Sequence, residues 1–309
     1  NKNKDIISGL MSEPPEVSPR YFYDTLGSKL FSAITDLPEY YPTRLEREIL
    51  TGKAGLIANS IGLNQCFVDL GAGDGEKASI LLPHLKAKEY IGVDISGEYL
   101  YQSAKRLKRK FPTLKVTALA CDFFPKLLWP SEINSDNLIF FYPGSSIGNF
   151  SPDEALKFLK QLNNICLKSS NGMGDLLIGV DLVKDTRLIE NAYDDVLGLT
   201  SCFNLNLLRN LNKLLKANFD VRNFRHYSFY NSKKSRVEMW LLATKKQNIK
   251  WCNGSISLNK DEGILTEFSY KYTKNNFTDL LSNAGFFIMN QWTDLSNGFM
   301  VCHARSSSK

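Results

Sequence analysis

Three glycines alternate with other residues behind an acid in Phe67-Val68-Asp69-Leu70-Gly71-Ala72-Gly73-Asp74-Gly75-Glu76-Lys77. A short apolar strand entering such a loop and then a helix makes the floor of a nucleoside site. Gly71, Gly73 and Gly75 remove side chains where the backbone must turn and a ligand must come close, and the helix points its positive end at that ligand. A dinucleotide fingerprint places its third glycine five residues after the first, with a pyrophosphate on the helix end. Here the third glycine comes four residues after, and Glu76 takes the fifth place. A carboxylate there repels phosphate, so a ligand with a ribose but no phosphate fits better. Asp94 lies at the usual distance from the loop for an acid that accepts hydrogen bonds from ribose hydroxyls. Asp122-Phe123 sets a carboxylate beside a ring, suited to an adenine amino group and an adenine face. Taken singly, each has a structural alternative: Asp94 as a helix cap, Phe123 as core. Three such signals on consecutive strand ends favour the ligand.

The elements that must position these residues follow from periodicity. Strands are expected at Cys66 to Leu70, Tyr90 to Asp94, Lys115 to Cys121, Leu138 to Tyr142 and Leu176 to Asp181, alternating with helices Glu76 to Leu85, Gly97 to Lys110 and Pro152 to Leu167. Ser151 serves the last as N-cap. Alternation of this kind predicts a parallel sheet with helices on both faces and ligands at the carboxyl ends of its strands. The fourth strand ends in Gly144-Ser145-Ser146-Ile147-Gly148-Asn149. Asn149 offers both donor and acceptor to a bound amino acid, or serves as a turn residue. After the fifth strand the expected short helix is delayed by about ninety residues. That insertion reads as helices Asp185 to Val196 and Asn204 to Ala217, a hairpin His226 to Tyr230 with Arg236 to Thr244, and a strand from Ile264 to Lys271. In that strand Glu267 and Ser269 share one face, a carboxylate and a hydroxyl suited to a ligand N–H, or simply an exposed face. Helix Asn275 to Ala284 and the hairpin Phe286 to Trp292 with Gly298 to Ala304 then complete seven strands. Upstream, residues 1 to about 20 read as a loosely ordered lead-in, followed by a helix from Ser28 to Asp36 and helical periodicity from Leu45 to Ile61.

The 309 residues carry a net charge of +6. The densest basic run, Lys105 to Lys110, ends a helix, where cations suit the dipole, and reads as a solvated face. Six cysteines, Cys66, Cys121, Cys166, Cys202, Cys252 and Cys302, lack paired metal-ligand spacing and read as reduced core residues of a cytoplasmic protein. His84, His226 and His303 lie far apart, so no metal is expected. No membrane-spanning run or signal peptide is visible.

The pattern Asp69-x-Gly71-x-Gly73-x-Gly75 resembles the first motif of S-adenosylmethionine-dependent methyltransferases, whose cofactor has a ribose and a sulfonium but no phosphate. More specific are Tyr21-Phe22-Tyr23-Asp24, Leu37-Pro38-Glu39-Tyr40-Tyr41-Pro42-Thr43-Arg44, Gly144 to Asn149, Asp181-Leu182-Val183-Lys184-Asp185, Ala192-Tyr193-Asp194-Asp195, Val237-Glu238-Met239-Trp240 and Thr266-Glu267-x-Ser269. Through these the chain from Tyr21 onward resembles the histidine-specific Nα-methyltransferases of ergothioneine biosynthesis. The resemblance implies an α/β class I methyltransferase with a Rossmann-like seven-stranded sheet, expected over 57–185 and 273–309, and a smaller α+β substrate lid formed by 1–56 and 186–272. It implies S-adenosylmethionine as cofactor and trimethylation of the α-amino group of L-histidine to hercynine by a cytoplasmic monomer. Asn149 and Tyr193 would hold the substrate carboxylate, Glu267 and Ser269 the imidazole, with Tyr40 and Met239 lining the pocket. Tyr23 would stand beside the amine and the sulfonium as the catalytic group, and Gly71, Gly73, Lys77, Asp94, Asp122 and Phe123 would bind the cofactor. The loop departs from the family, which often has Ser or Thr where Ala72, Asp74 and Gly75 stand. Fungal relatives that methylate a prenylated tryptophan supply the alternative substrate. A nucleic-acid methyltransferase exploiting the positive charge is the more distant one.

Overall fold

The computed structural model describes residues 2–63, 65–123, 127, 129–130, 133, 137–169, 172–252 and 254–307. The chain opens with helices α1 (Lys2–Leu10), α2 (Thr25–Thr35), α3 (Tyr41–Gly52) and α4 (Ala54–Ile61). Strand and helix then alternate through β1 (Cys66–Leu70), α5 (Glu76–Leu85), β2 (Glu89–Asp94), α6 (Gly97–Lys110), β3 (Lys115–Ala120), β4 (Leu138–Tyr142), α7 (Pro152–Leu167) and β5 (Gly174–Asp181). The insertion supplies α8 (Thr186–Asn191), α9 (Leu199–Leu215), β6 (Phe224–Asn231), β7 (Arg236–Ala243), β8 (Gln247–Trp251), β9 (Gly254–Leu258) and β10 (Gly263–Tyr270). Last come α10 (Lys274–Asn283), β11 (Phe286–Thr293) and β12 (Phe299–Ser306). The chain divides into two compact units, Asn1–Tyr41 with Lys184–Tyr270, and Pro42–Val183 with Lys271–Lys309.

The second of these units is built on a seven-stranded sheet in the order β11-β12-β5-β4-β1-β2-β3. Strands β1 to β5 run parallel. The terminal hairpin adds β12 antiparallel to β5 and β11 antiparallel to β12. Every residue of β1, β4 and β5 is buried, which is why these segments read as near-continuous apolar runs. Neighbouring β4 residues serve opposite faces. Phe141 meets Phe67 at 5.2 Å between centroids, and Tyr142 meets Phe158 of α7 at 5.3 Å. Ser151 caps α7 in a capping box with Glu154, as its sequence predicts. Strand order reverses between β1 and β4, and the glycine loop leaves β1 at that switch point.

In the other unit β10, β7 and β6 form an antiparallel sheet. Helix α9 packs on the α2 region, where Phe22 stacks on Phe203 at 4.5 Å. Several expectations need correction. The N-terminal stretch is not a loose lead-in. Ile6 and Leu10, one helical turn apart on α1, are buried, and Val17 N–H donates to the Leu265 carbonyl at 2.9 Å while Leu265 N–H donates to Pro15 at 2.8 Å. The periodicity from Leu45 to Ile61 belongs to two helices that break at Lys53. The helix expected from Asp185 to Val196 ends at Asn191, and β8 with β9 forms a hairpin the pattern did not announce. Cys66, Cys166 and Cys302 are buried, but Cys202 and Cys252 are exposed and so are not core residues.

Candidate active site

In the sheet unit the glycine loop turns through positive φ at Gly71 (72°), Gly73 (53°) and Gly75 (72°). At Gly75 a Cβ would also come within 3.1 Å of Ser103 Oγ. Beneath the loop Asp69 is fully buried and accepts from the Tyr90 hydroxyl at 2.8 Å, while its other oxygen meets no donor among the described residues. Burial pushes its carboxyl up to about 7; the Tyr90 hydrogen bond and Lys77 pull the other way. Asp69 therefore ties β1 to the Tyr90 side chain of β2.

Asp94 ends β2 and ties strand to loop: one oxygen accepts from Gly73 N–H at 3.0 Å, the other from Ser96 N–H at 2.9 Å. Each carboxylate oxygen keeps a further lone pair for a hydroxyl. Asp122 is exposed and Phe123 half-buried, its ring edge-on to Tyr142 at 6.0 Å. A Cβ added at Gly71 would touch the Phe123 ring tip at 4.0 Å, so bare backbone and ring border the same space. The Lys77 ammonium lies 2.5 Å from Glu46, whose side chain is wholly buried. The Glu46 carboxylate also accepts Gly144 N–H at 2.9 Å, holding the turn that leads to Asn149. Gly179 of β5 leaves room for it, since a Cβ there would lie 2.0 Å from Glu46 Oε1. Asn149 is half-buried at the end of a 3₁₀ turn, Ser146–Asn149, and its amide makes no hydrogen bond among the described residues.

The other unit gathers Tyr23, Tyr40, Tyr193, Met239, Glu267 and Ser269. A bulge between Leu265 and Glu267 places Glu267 opposite Met239 and Ser269 opposite Val237, so all four share a sheet face. The bulged Thr266 donates its hydroxyl to the Met239 carbonyl at 3.0 Å. The buried Tyr193 hydroxyl donates to Ser269 Oγ at 2.7 Å. From Tyr193 a line of rings runs to Tyr40 (6.3 Å), Phe31 (6.0 Å) and Tyr23 (5.6 Å). Tyr23 is fixed by its neighbours: Asn210 donates to the Tyr21 carbonyl at 2.7 Å and Asn206 to Asp24 at 2.9 Å. Sequence reasoning missed Glu46 and Phe31. Glu46 had a signal, being an acid three and four residues ahead of Ile49 and Leu50 on the buried stripe of α3.

One unit thus carries an acid-flanked glycine loop with Asp94 and Phe123 beside it, and the other a sheet face bearing Glu267, Ser269 and Met239 beside a line of aromatic rings. A family model described as "Histidine-specific methyltransferase, SAM-dependent" matches residues 2–306. The chain is 36% identical to a histidine N-alpha-methyltransferase of Mycobacterium tuberculosis (strain CDC 1551 / Oshkosh), covering 96% of this chain and 92% of that protein. It is 30% identical to ergothioneine biosynthesis protein 1 of Neurospora crassa, covering 91% of this chain and 32% of that longer protein. It is also 29% identical to a 4-dimethylallyltryptophan N-methyltransferase of Claviceps purpurea, covering 91% of this chain and 88% of that one.

Proposed function

The chain belongs to the histidine-specific, S-adenosylmethionine-dependent methyltransferases, and from that premise we propose that it trimethylates the α-amino group of L-histidine to hercynine, within ergothioneine biosynthesis. The observation that carries the substrate is the sheet face bearing Glu267, Ser269 and Met239, with the Tyr193 phenol on Ser269. Imidazole has one N–H and one lone pair, and a carboxylate with a hydroxyl complements both. An indole has only the N–H. It would use the carboxylate and make no use of the Ser269 hydroxyl.

In this reading Glu267 accepts the imidazole N–H, Ser269 meets the other ring nitrogen, and Tyr40 and Met239 line the ring's faces. Asn149 holds the carboxylate, and Tyr193 joins it once its phenol proton turns from Ser269 to the substrate. The cradle fits the cofactor: bare backbone at Gly71, the ring of Phe123, the carboxylates of Asp94 and Asp122 for hydroxyl and amino groups, and Asp74 and Glu76 beside the helix start to exclude phosphate. When bound, S-adenosylmethionine supplies a sulfonium-activated methyl group. The residues of the chain contribute position above all. An α-amino group titrates near 8 in model peptides and somewhat higher in free amino acids, so about one proton transfer, to water or through the Tyr23 hydroxyl, frees its lone pair near neutral pH. Tyr23, Phe31 and Tyr40 present ring faces and edges rather than carboxylates, which suits the quaternary ammonium of the product.

We place the reaction in the cytoplasm, carried out by a monomer on a free amino acid; buried thiols at Cys66, Cys166 and Cys302 support a reducing compartment. Among the described residues no helix is long and apolar enough to cross a membrane. The test is mass spectrometry after incubation with S-adenosylmethionine and a mixture of the twenty amino acids and dimethylallyltryptophan. Histidine alone gaining three methyl groups is the expected result. Methylation of the tryptophan derivative in preference to histidine would overturn the assignment.

A further inference from the structure

Tyr193 is clamped at every polar atom. Its N–H donates to the Glu190 carbonyl at 2.9 Å and its hydroxyl to Ser269 at 2.7 Å. Its carbonyl lies 2.9 Å from His226 Nε2 and accepts from Ser228 Oγ at 3.2 Å. His226 and Ser228 stand two apart on β6, so one face of one strand sends both donors to a single carbonyl. On the far side of the ring, Asn204 Nδ2 is 2.8 Å from His226 Nδ1 and donates to the Trp240 carbonyl at 3.0 Å.

The protonation of this ring follows from its neighbours. A carbonyl cannot donate, so Nε2 must carry the proton toward Tyr193. The Trp240 carbonyl likewise demands the amide nitrogen of Asn204, whose second N–H then meets Nδ1, which must be a bare lone pair. Two main-chain oxygens thus select one neutral tautomer. A second proton on Nδ1 would point at an N–H, and turning the amide to accept it would set Asn204 Oδ1 against the Trp240 carbonyl.

We propose that His226 is a positioning residue for substrate binding: held as its Nε2–H tautomer between Tyr193 and Asn204, it fixes where the Tyr193 phenol stands against Ser269. This rests on the reading of Tyr193 as a substrate contact. The surroundings support a ring that stays neutral. Burial lowers its pKa, opposed by the Tyr193 carbonyl, Asp194 and Asp195. Burial also opposes ionisation of Asp195, yet the N–H groups of Leu199 and Thr200 hold its carboxyl below the usual range. Glu190 of α8 is engaged by Tyr230 N–H at 3.0 Å, and opposite His226 on β7 stands the apolar Leu241. As pH falls through the lowered pKa, the ring gains a proton, the Asn204 contact is lost and Tyr193 loosens.

The test compares wild type with His226→Ala, His226→Gln and Tyr193→Phe. His226→Ala is expected to raise the KM for histidine about tenfold, with kcat within about threefold and cofactor affinity by calorimetry unchanged. Glutamine can donate to the Tyr193 carbonyl but does not titrate. The ratio of wild-type KM to His226→Gln KM should therefore hold flat above roughly pH 7 and climb as pH is lowered from roughly 6.5 to 5, below the ordinary histidine range, and the substrate's own ionisation cancels in that ratio. Nitrogen-15 histidine labelling is expected to show one ring protonated at Nε2 and bare at Nδ1, assigned by its loss in His226→Gln. A pH-independent KM ratio, or an Nδ1–H tautomer for that ring, overturns the proposal, and neither readout depends on the alanine variant folding. If Tyr193→Phe raises KM while His226→Ala leaves it within twofold, the proposal alone fails. If Tyr193→Phe leaves KM unchanged, the substrate role of Tyr193 fails and takes this proposal with it.

Discussion

Asp69 and Asp94 stand at the ends of neighbouring strands, yet their surroundings give them different work. Asp94 is half-buried and keeps lone pairs for hydroxyls; Asp69 is sealed beneath the loop, its carboxyl raised from 3.8 to about 7 chiefly by burial. For a carboxyl raised in the folded state, the native protein holds the extra proton. Its stability contribution is complete below the unfolded value of 3.8 and is lost as pH rises through 7. Asp69→Asn is therefore expected to be more stable than wild type above pH 7, by up to roughly 4 kcal/mol, with the advantage vanishing toward pH 4; denaturant titrations across that range check it. The strand-end positions of Asp94, Asp122 and Phe123 were legible because the alternation of strand and helix sets where each strand stops. His226 was not, since its significance lies in two carbonyls and an amide supplied by Tyr193, Trp240 and Asn204, none of which neighbours it in sequence.

At the level of elements, legibility tracked burial on both sides. Strands β1, β4 and β5 are buried throughout and read as near-continuous apolar runs, and their expected bounds agree with the structure to within two residues. The hairpin of β8 and β9 escaped notice because only Ile249, Trp251 and Leu258 of it are buried, too few for a period. The N-terminal stretch misled because its order comes from pairing across the chain: Pro15 and Val17 extend the edge of β10. Proline at position 17 would delete the donor to Leu265, two residues from Glu267. Val17→Pro is expected to cost about 1–3 kcal/mol in chemical denaturation and to raise the KM for histidine while leaving cofactor affinity unchanged.

Across the whole molecule, the two compact units alternate along the chain, so the residues proposed for histidine come from distant stretches of sequence while those proposed for the cofactor lie mostly between Gly71 and Phe123. Asp94, Asp122 and Phe123 belong to one unit, Glu267, Ser269 and Tyr193 to the other. Glu267→Ala should weaken histidine binding at least tenfold with cofactor affinity intact, and Asp94→Ala should do the reverse, both read by calorimetry. Histidine affinity unchanged in Glu267→Ala would remove the assignment of that face to the imidazole. The seven-stranded order was legible because alternation of strand and helix admits few topologies; the grouping of the N-terminal segment with the insertion rested on aromatic residues that only later contacts could satisfy.

The carboxylate of Glu46 fills the space that a side chain at Gly179 would need, while holding both Lys77 and the turn before Asn149. Positions 46 and 179 are thus not independent. A methyl group at 179 would force the carboxylate at 46 to move, and that movement would loosen its hold on a lysine on one side and on the turn before Asn149 on the other. The two positions should therefore be varied together in any library exploring new amino-acid substrates.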